Sequence, residues 1–408
     1  MFVSILLLCV FIFFIILHLK SQRPNNFPPG PPVLPLLGNI LQLNLENPLK
    51  DFERLRKSYG DVYSIFIGRK PAVVINGMKA VKEAIVTKAT DFAGRPQDMF
   101  INEVTQRKGV IMADYGSSWR EHRRFHANLM SSTNQKVKPS LTYLSLQLYD
   151  TFPVIRHLPL PFQKAFKNFE VILKSLAIDL INEHKETRVP GEPRDFIDYI
   201  MFCMGMSFLN MRRLRHLVHY SLFRETMVVL HFQKKRCQQE IDRVLEGNCQ
   251  ASFEDRHKMP YTQAVIHEVQ RVANTVPTAL HCTTRDTELM GYSIPKGTLI
   301  IENLTSVLNE EGQWKFPHEF NPENFLNDQG EFVKPEAFMP FSAGPRVCLG
   351  EGLARMELFL MMVTLLRKFK FIWPEEAGEP DFTQVYGITM SPKPYCMKVQ
   401  LRAARKSF

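Results

Sequence analysis

The sequence predicts a mainly α fold with a small β portion, of the α+β class, organised as one large body. Several stretches repeat apolar residues with the 3.6-residue period of amphipathic helices, whereas strand-like runs are short and few. The chain has no internal repeat, no low-complexity tract and no obvious linker that would divide the body. Its 408 residues, 45% of them hydrophobic, are enough for one large core.

Helices and strands are predicted from the apolar period and from the residues that start and stop each element. In the first helix, Leu49, Phe52 and Leu55 share one face and Gly60 follows the last turn. Helices are predicted at 47–59, 77–89, 119–130, 163–186, 233–245, 259–273 and 349–368. Strands are predicted at 62–67, 72–75, 298–301 and 395–401.

The N-terminal segment predicts a membrane anchor. Residues 2–17 carry no charge, and at about 1.5 Å per helical residue they nearly cross the ~30 Å hydrocarbon layer. Lys20 and Arg23 follow, which favours a cytosolic body and argues against a cleaved signal peptide; a buried core helix is the alternative. We therefore divide the chain into an anchor at 1–20, a stiff proline-rich linker at 21–38 and one domain at 39–408.

Cysteine usage and charge limit the compartment and the partners. Seven cysteines without a C-x-x-C pair argue against a disulfide framework or a structural zinc site and favour a reducing compartment. The formal net charge of +10 suits an anionic membrane surface, an acidic protein partner or nucleic acid. No nucleic-acid-binding motif accompanies this charge, so we expect the first two partners and no nucleic acid.

One loop, from Phe341 to Gly350, reads Phe-Ser-Ala-Gly-Pro-Arg-Val-Cys-Leu-Gly and precedes a predicted helix. Cys348 offers a thiolate, which ligates iron, and the dipole of the following helix is expected to lower the pKa of the thiol. Gly344 lets a tight loop approach a flat ring, and Arg346 offers a charge-assisted donor to a carboxylate. Phe341 is expected to shield the sulfur, and Gly350 to let the helix pack closely. A buried free cysteine is the alternative interpretation.

This loop matches every fixed position of the heme-binding sequence F-x-x-G-x-R-x-C-x-G, so the chain resembles the cytochrome P-450 superfamily. From 24 to 125 and from 233 to 401 it is similar to the vertebrate microsomal family two. The resemblance implies a cytochrome P-450-like fold and a heme b whose iron has Cys348 as its axial ligand. It also implies electrons from an NADPH-dependent cytochrome reductase, a cytochrome b-type protein as a further donor, and the cytosolic face of the endoplasmic reticulum membrane.

Further positions resemble family motifs. Glu268 and Arg271 form an E-x-x-R on a predicted helix and look like the family's buried ion pair, although such pairs also decorate solvated helices. Asn324 stands where many members carry Arg.

Trp119 and Arg123 match W-x-x-x-R, which in the family holds a heme propionate; a core aromatic beside a solvated Arg is the alternative. Arg95 and His281 resemble further propionate contacts; a lone His with its hydrogen bonds satisfied is the alternative for His281. Arg120 and Arg124, near other basic groups, resemble the patch that docks an acidic reductase, or form a solvated face.

The resemblance departs from the family at residues 126–232, which are atypical or truncated. The chain is roughly a fifth shorter than a usual member, and the shortfall lies almost entirely here. The family's [A/G]-G-x-[D/E]-T-[T/S] motif for proton delivery to dioxygen is missing. Its nearest equivalent keeps only Glu225 and Thr226, the candidate catalytic pair. The fold is therefore expected to be incomplete and to lack the standard long central helix.

Three functions remain open at this point. The first is a heme-thiolate monooxygenase that inserts one oxygen atom from O2 into a lipophilic substrate such as a xenobiotic, fatty acid or steroid. The second is a heme-binding but catalytically silent truncated isoform. The third is heme-thiolate chemistry driven by peroxide, which would not need the proton relay.

Overall fold

The structure is a computed structural model that describes residues 23–99, 102, 110–129, 235–246, 251–378, 383–387, 389–393 and 396–402. These residues form helices and small sheets, which confirms the predicted fold class. The predicted anchor, the predicted helix at 163–186 and the segment expected to lack the central helix lie outside the described residues. Within the described ranges, no helix has the length and apolar character to cross a bilayer.

The elements follow in chain order. The helices are α1 (Leu49–Tyr59), α2 (Gly77–Lys82, continued by a π-helical turn at Glu83–Thr87), α3 (Ser117–Leu129), α4 (235–244), α5 (Pro260–Ala273), α6 (Leu304–Leu308) and α7 (Glu351–Lys368). The strands are β1 (Val62–Ile67), β2 (Lys70–Ile75), β3 (Thr278–Cys282), β4 (Thr287–Leu289), β5 (Tyr292–Ile294), β6 (Leu299–Asn303), β7 (Phe369–Ile372), β8 (Gln384–Val385), β9 (Ser391–Pro392) and β10 (Lys398–Leu401).

A four-stranded sheet in the order β1-β2-β6-β3 forms the β portion nearest the candidate site. The β1–β2 hairpin is antiparallel, and its register pairs Ile67 with Lys70, so β2 begins two residues earlier than predicted. β6 runs parallel to β2 and antiparallel to β3. β3 was not predicted, because it forms only by pairing with a distant strand.

The sheet is buried on both faces, and most of the side chains on them are apolar. Phe52 and Leu55 of α1 pack against one face, and Gly60 ends α1 with a φ of 91° that favours glycine. The other face contributes Val73, Ile75 and Ile300 to a core shared with α2, α5 and α6. Burial on both faces makes this sheet a rigid platform for the side chains at its edge.

A second core lies between α4, α5 and α7. Its centre contains Ile241, Val265, Val269 and Met362, all at most 2% exposed. α5 begins with Pro260 in the first turn, where a missing N–H costs nothing. α7 begins two residues later than predicted because the residues from Cys348 to Gly350 still belong to the preceding loop.

The described part of the proline-rich segment packs against β1. The Ser64 backbone N–H donates to the Pro29 carbonyl at 2.7 Å, and its hydroxyl donates to the Pro28 carbonyl at 2.7 Å. Phe27 is buried in the core beside the sheet. A Cβ on Gly30 would lie 1.9 Å from the Ser64 carbonyl oxygen, so only glycine permits this approach.

Candidate functional site

Hydrogen bonds within the loop from Phe341 to Gly350, hereafter the Cys348 loop, fix its shape. The Cys348 backbone N–H donates to the Phe341 carbonyl at 3.0 Å, and a 3-10 turn spans Gly344–Arg346. Gly344 has a φ of 66°, and a Cβ there would lie 2.0 Å from the Ile85 carbonyl oxygen. The loop therefore rests directly on the π-helical turn after α2, and no other residue type fits at this position.

Cys348 lies three residues before the first residue of α7. It has exposed surface, but protein atoms packed around it raise the pKa of its thiol, and the Glu351 carboxylate acts in the same direction. The backbone N–H groups of Gly350 and Glu351 and the Arg123 guanidinium oppose this rise. The expectation of a lowered thiol pKa is therefore wrong for the uncoordinated thiol, because desolvation outweighs the helix terminus. A bound metal cation would supply the charge that the thiolate needs.

Arg346 points from the loop into the protein and is buried. It donates to the Ala93 carbonyl at 2.8 Å and to the Ala113 carbonyl at 2.9 Å. Its guanidinium lies 3.9 Å from the centre of the Trp119 ring, within cation–π distance. The Trp119 indole N–H donates to the Val110 carbonyl at 2.8 Å, which fixes the ring.

Arg123 and Arg95 reach the same region from other parts of the chain. Arg123, on α3 with Trp119, has its guanidinium 5.8 Å from the same ring and donates to the Val347 carbonyl of the Cys348 loop. Arg95 donates to the Ile111 carbonyl at 3.0 Å and to the Leu280 carbonyl of β3. The sequence-predicted residues Arg95, Trp119, Arg123 and Arg346 thus lie together.

The guanidinium groups of Arg95, Arg123 and Arg346, hereafter the cationic cluster, donate to backbone carbonyls. Within the described part of the chain, none of the three has a carboxylate at ion-pair distance. Burial, together with the neighbouring guanidinium groups, lowers the pKa of Arg95 to about 10 and that of Arg346 to about 9. A group with two carboxylates would relieve this repulsion. The cluster and the thiol therefore fit heme, which carries two propionates around a central iron.

His281 is buried beside the cluster on β3. Its Nδ1 lies 3.1 Å from the Phe92 carbonyl oxygen. Its Nε2 lies 3.4 Å from a Glu302 carboxylate oxygen but makes no hydrogen bond there. Burial lowers the pKa of His281, and Arg95 acts in the same direction, whereas Glu302 opposes it.

The predicted ion pair joins α5 to the segment that precedes the Cys348 loop. Arg271 donates to both Glu268 carboxylate oxygens at 2.7 Å, and both side chains are fully buried. Arg271 also donates to the backbone carbonyls of Leu308, Pro317 and Glu319. The Asn324 side chain donates to the Glu268 carboxylate at 3.2 Å.

The other predicted site residues are less constrained. Phe341 is partly exposed, and Gly350 occupies the N-cap position of α7. Arg120 and Arg124 are exposed on α3. Glu225 and Thr226 lie outside the described residues. Sequence reasoning missed Glu302, a charged residue directly after an apolar strand run, which the register buries at the site.

The chain is similar to known proteins over most of its length. The family model described as Cytochrome P-450 matches residues 28–143, 131–223 and 232–399. A pig vitamin D(3) 25-hydroxylase is 36% identical, covering 96% of this chain and 97% of the relative. Rat cytochrome P-450 2D3 is 36% identical over 93% of this chain and 94% of the relative, and human cytochrome P-450 2D6 is 35% identical with the same coverage. The pig alignment spans 486 positions against the 408 residues here, so at least 78 positions carry no residue of this chain.

Proposed function

Because the chain belongs to the cytochrome P-450 family, we propose that it inserts one oxygen atom from O2 into a lipophilic xenobiotic, fatty acid or steroid. The family resemblance predicted from the sequence is thereby confirmed, and so are the heme monooxygenase class and the thiolate-bound heme. The name of the pig relative supports oxygen insertion into a lipophilic molecule. The observation that carries the proposal for this chain is the position of Cys348 between the N-terminus of α7 and the cationic cluster.

Each site residue has a defined task in this proposal. Heme, when bound, would supply the oxygen activation, and the Cys348 thiolate would bind the iron and donate electron density to it. The N–H groups of Gly350 and Glu351 stabilise the negative sulfur. The cationic cluster and His281 would bind the two carboxylates, and the Trp119 ring would hold the Arg346 guanidinium in place. Arg123 also donates to the Val347 carbonyl of the Cys348 loop. The same side chain would therefore bind a carboxylate and fix the position of the Cys348 sulfur.

The family and the positive charge of the chain also support proposals for its electron donors and its cellular location. We propose that an NADPH-dependent cytochrome reductase, and a cytochrome b-type donor, dock on a basic surface that includes exposed Arg120 and Arg124. The uncharged residues 2–17 support an anchor in the endoplasmic reticulum membrane with the body on the cytosolic face.

The test of this function is the absorbance difference spectrum of the full chain, reduced with dithionite, with and without carbon monoxide. We expect the red-shifted Soret band of a thiolate-ligated heme. A blue-shifted band or the absence of heme would contradict ligation by Cys348 and with it the proposed function.

Thr226 is proposed to deliver protons to the bound oxygen, with Glu225 as its acidic partner. Replacing Thr226 by Ala is expected to raise the hydrogen peroxide released per NADPH consumed several-fold, because the hydroxyl that relays protons is lost. The ratio is measured in a reconstituted system with reductase. Ser221→Ala, a hydroxyl loss in the same stretch, is the matched control; equal ratios in both variants would remove Thr226 from this role.

A silent, heme-binding chain is the second candidate, favoured by the alignment positions at which this chain has no residue. Such a chain would give the thiolate spectrum but consume no NADPH with reductase present. Turnover of a lipid hydroperoxide without NADPH would instead identify peroxide-driven chemistry.

A further inference from the structure

A buried carboxylate lies on the sheet face that carries the heme-site residues. Glu302 on β6 is paired with Ala279 of β3, and Ile300 is paired with His281. Alternate residues share one face of a sheet, so Glu302 and His281 are diagonal neighbours on the same face. Val73, Ile75 and Ile300 on that face lie in the hydrophobic core. Glu302 is 0% exposed, so water does not stabilise its charge.

Glu302 holds the Cys348 loop through one side chain. The Ser342 hydroxyl donates to the carboxylate, with its oxygen 2.9 and 3.1 Å from the two carboxylate oxygens. Ser342 has a φ of 58°, a left-handed conformation that is uncommon for a residue with a side chain. The bond to Glu302 therefore fixes the loop at a position where the backbone alone would favour another conformation.

The charge of Glu302 acts on His281 and on Arg95 of the cationic cluster. Its attraction supports the charged form of Arg95 and of His281. Glu268 pairs with Arg271, but within the described residues Glu302 has no Arg or Lys at ion-pair distance. The basic side chain nearest to its carboxylate there is His281, whose Nε2 lies 3.4 Å from a carboxylate oxygen. Asp114 and the Cys348 thiolate act in the same sense on Arg346 and Arg123, so Glu302 is the negative group that supports Arg95.

We propose that Glu302 is a positioning residue of the heme site: it is the internal counter-ion of His281 and Arg95 and orients Ser342 in the Cys348 loop. The inference rests on the proposed heme site. The negative charge of the Glu302 carboxylate has two expected consequences. The negative charge repels the carboxylates of heme, so it weakens heme retention. It also disfavours the addition of an electron to the iron, so it stabilises the ferric state.

The test compares the full-length holoprotein with its Glu302→Gln variant. Transfer of heme to an excess of apomyoglobin measures retention, and equilibration with a redox dye measures the ferrous-to-ferric ratio. We expect transfer to slow about tenfold and the ferrous-to-ferric ratio to rise about tenfold. A tenfold change corresponds to about 1.4 kcal/mol, the order of magnitude of a single charge–charge interaction in a medium with an effective dielectric constant of about 20. Protein reconstituted with heme dimethyl ester, which lacks both negative charges, should show no difference in transfer rate between the two chains.

Two further variants separate charge from structure. Glu310→Gln removes a carboxylate that accepts from the Met78 N–H, away from the cationic cluster, and should alter neither readout. Should Glu302→Gln fail to accumulate, Glu302→Thr removes the charge with a side chain that strands favour and is expected to give the same shifts.

The outcomes distinguish this inference from the proposed function. If the wild-type chain lacks the thiolate-type carbon monoxide band, both are overturned. If both proteins show the band and neither heme transfer nor the ferrous-to-ferric ratio changes, only the role of Glu302 is overturned. Faster heme loss in Glu302→Gln with an unchanged ratio would assign Glu302 a purely structural role and contradict the proposal.

Discussion

Replacing Cys348 by Ser abolishes the red-shifted Soret band of the reduced carbon monoxide complex. An alcohol oxygen does not donate electron density to iron as a thiolate does, so any heme retained has a different spectrum and no oxygen activation. The loop keeps its backbone, because the N–H of residue 348 still bonds to the Phe341 carbonyl. The loss of the band should therefore be complete while the far-UV circular dichroism of the protein is retained.

The matched control for this substitution is Cys396→Ser. Cys396 is also an exposed free cysteine, but it lies near β10 rather than in the Cys348 loop. We expect the wild-type band in this variant. A thiolate band that survives in Cys348→Ser, or disappears in Cys396→Ser, would show that Cys348 is not the iron ligand.

Replacing Arg271 by Met lowers the free energy of unfolding by about 3–5 kcal/mol, because it leaves the buried Glu268 carboxylate without its cation. The carboxylate would retain two amide donors, the Asn321 N–H at 2.8 Å and the Asn324 side chain at 3.2 Å. The Leu308, Pro317 and Glu319 carbonyls lose a donor as well. Urea unfolding followed by circular dichroism measures the effect, and the spectrum of the heme complex reports whether the Cys348 loop still folds.

Arg54 offers a control with the same spacing. It pairs with Asp51 three residues earlier, as Arg271 does with Glu268, but its side chain is 57% exposed. Arg54→Met is expected to change the free energy of unfolding by less than about 1 kcal/mol. Equal losses in Arg54→Met and Arg271→Met would show that burial adds nothing to the Glu268–Arg271 pair.

The elements that could be predicted are those whose signal is local. α1 and the β1–β2 hairpin follow from apolar spacing and from turn residues. The Cys348 loop could be predicted because its fixed residues lie within ten positions. β3 could not, since Thr278-Ala-Leu-His-Cys282 has no strict alternation and becomes a strand only beside β6. α2 was predicted to reach residue 89, but its α-helical part ends at Lys82 and a π-helical turn follows.

The candidate site could be predicted in its parts but not in its electrostatics. A motif can mark Arg95, Arg123 and Arg346 as carboxylate donors, yet their mutual repulsion depends on distances that only the fold sets. The sign of the Cys348 pKa shift depends on desolvation, which sequence does not report. Glu302 was missed for the same reason, since strand register decides whether a charge at the end of an apolar run is buried.

The docking of the proline-rich segment on β1 has a practical consequence for producing soluble fragments. A fragment that begins at residue 39, after the proline-rich linker, would remove Phe27 from the core and uncover the Ser64 edge of the sheet. A fragment that begins ahead of Arg23 keeps both, and keeps the Arg23 side chain that donates to the Ser64 hydroxyl at 2.8 Å. For fragment design, the prolines therefore belong with the folded body. A truncation that keeps the described contacts must end before Arg23.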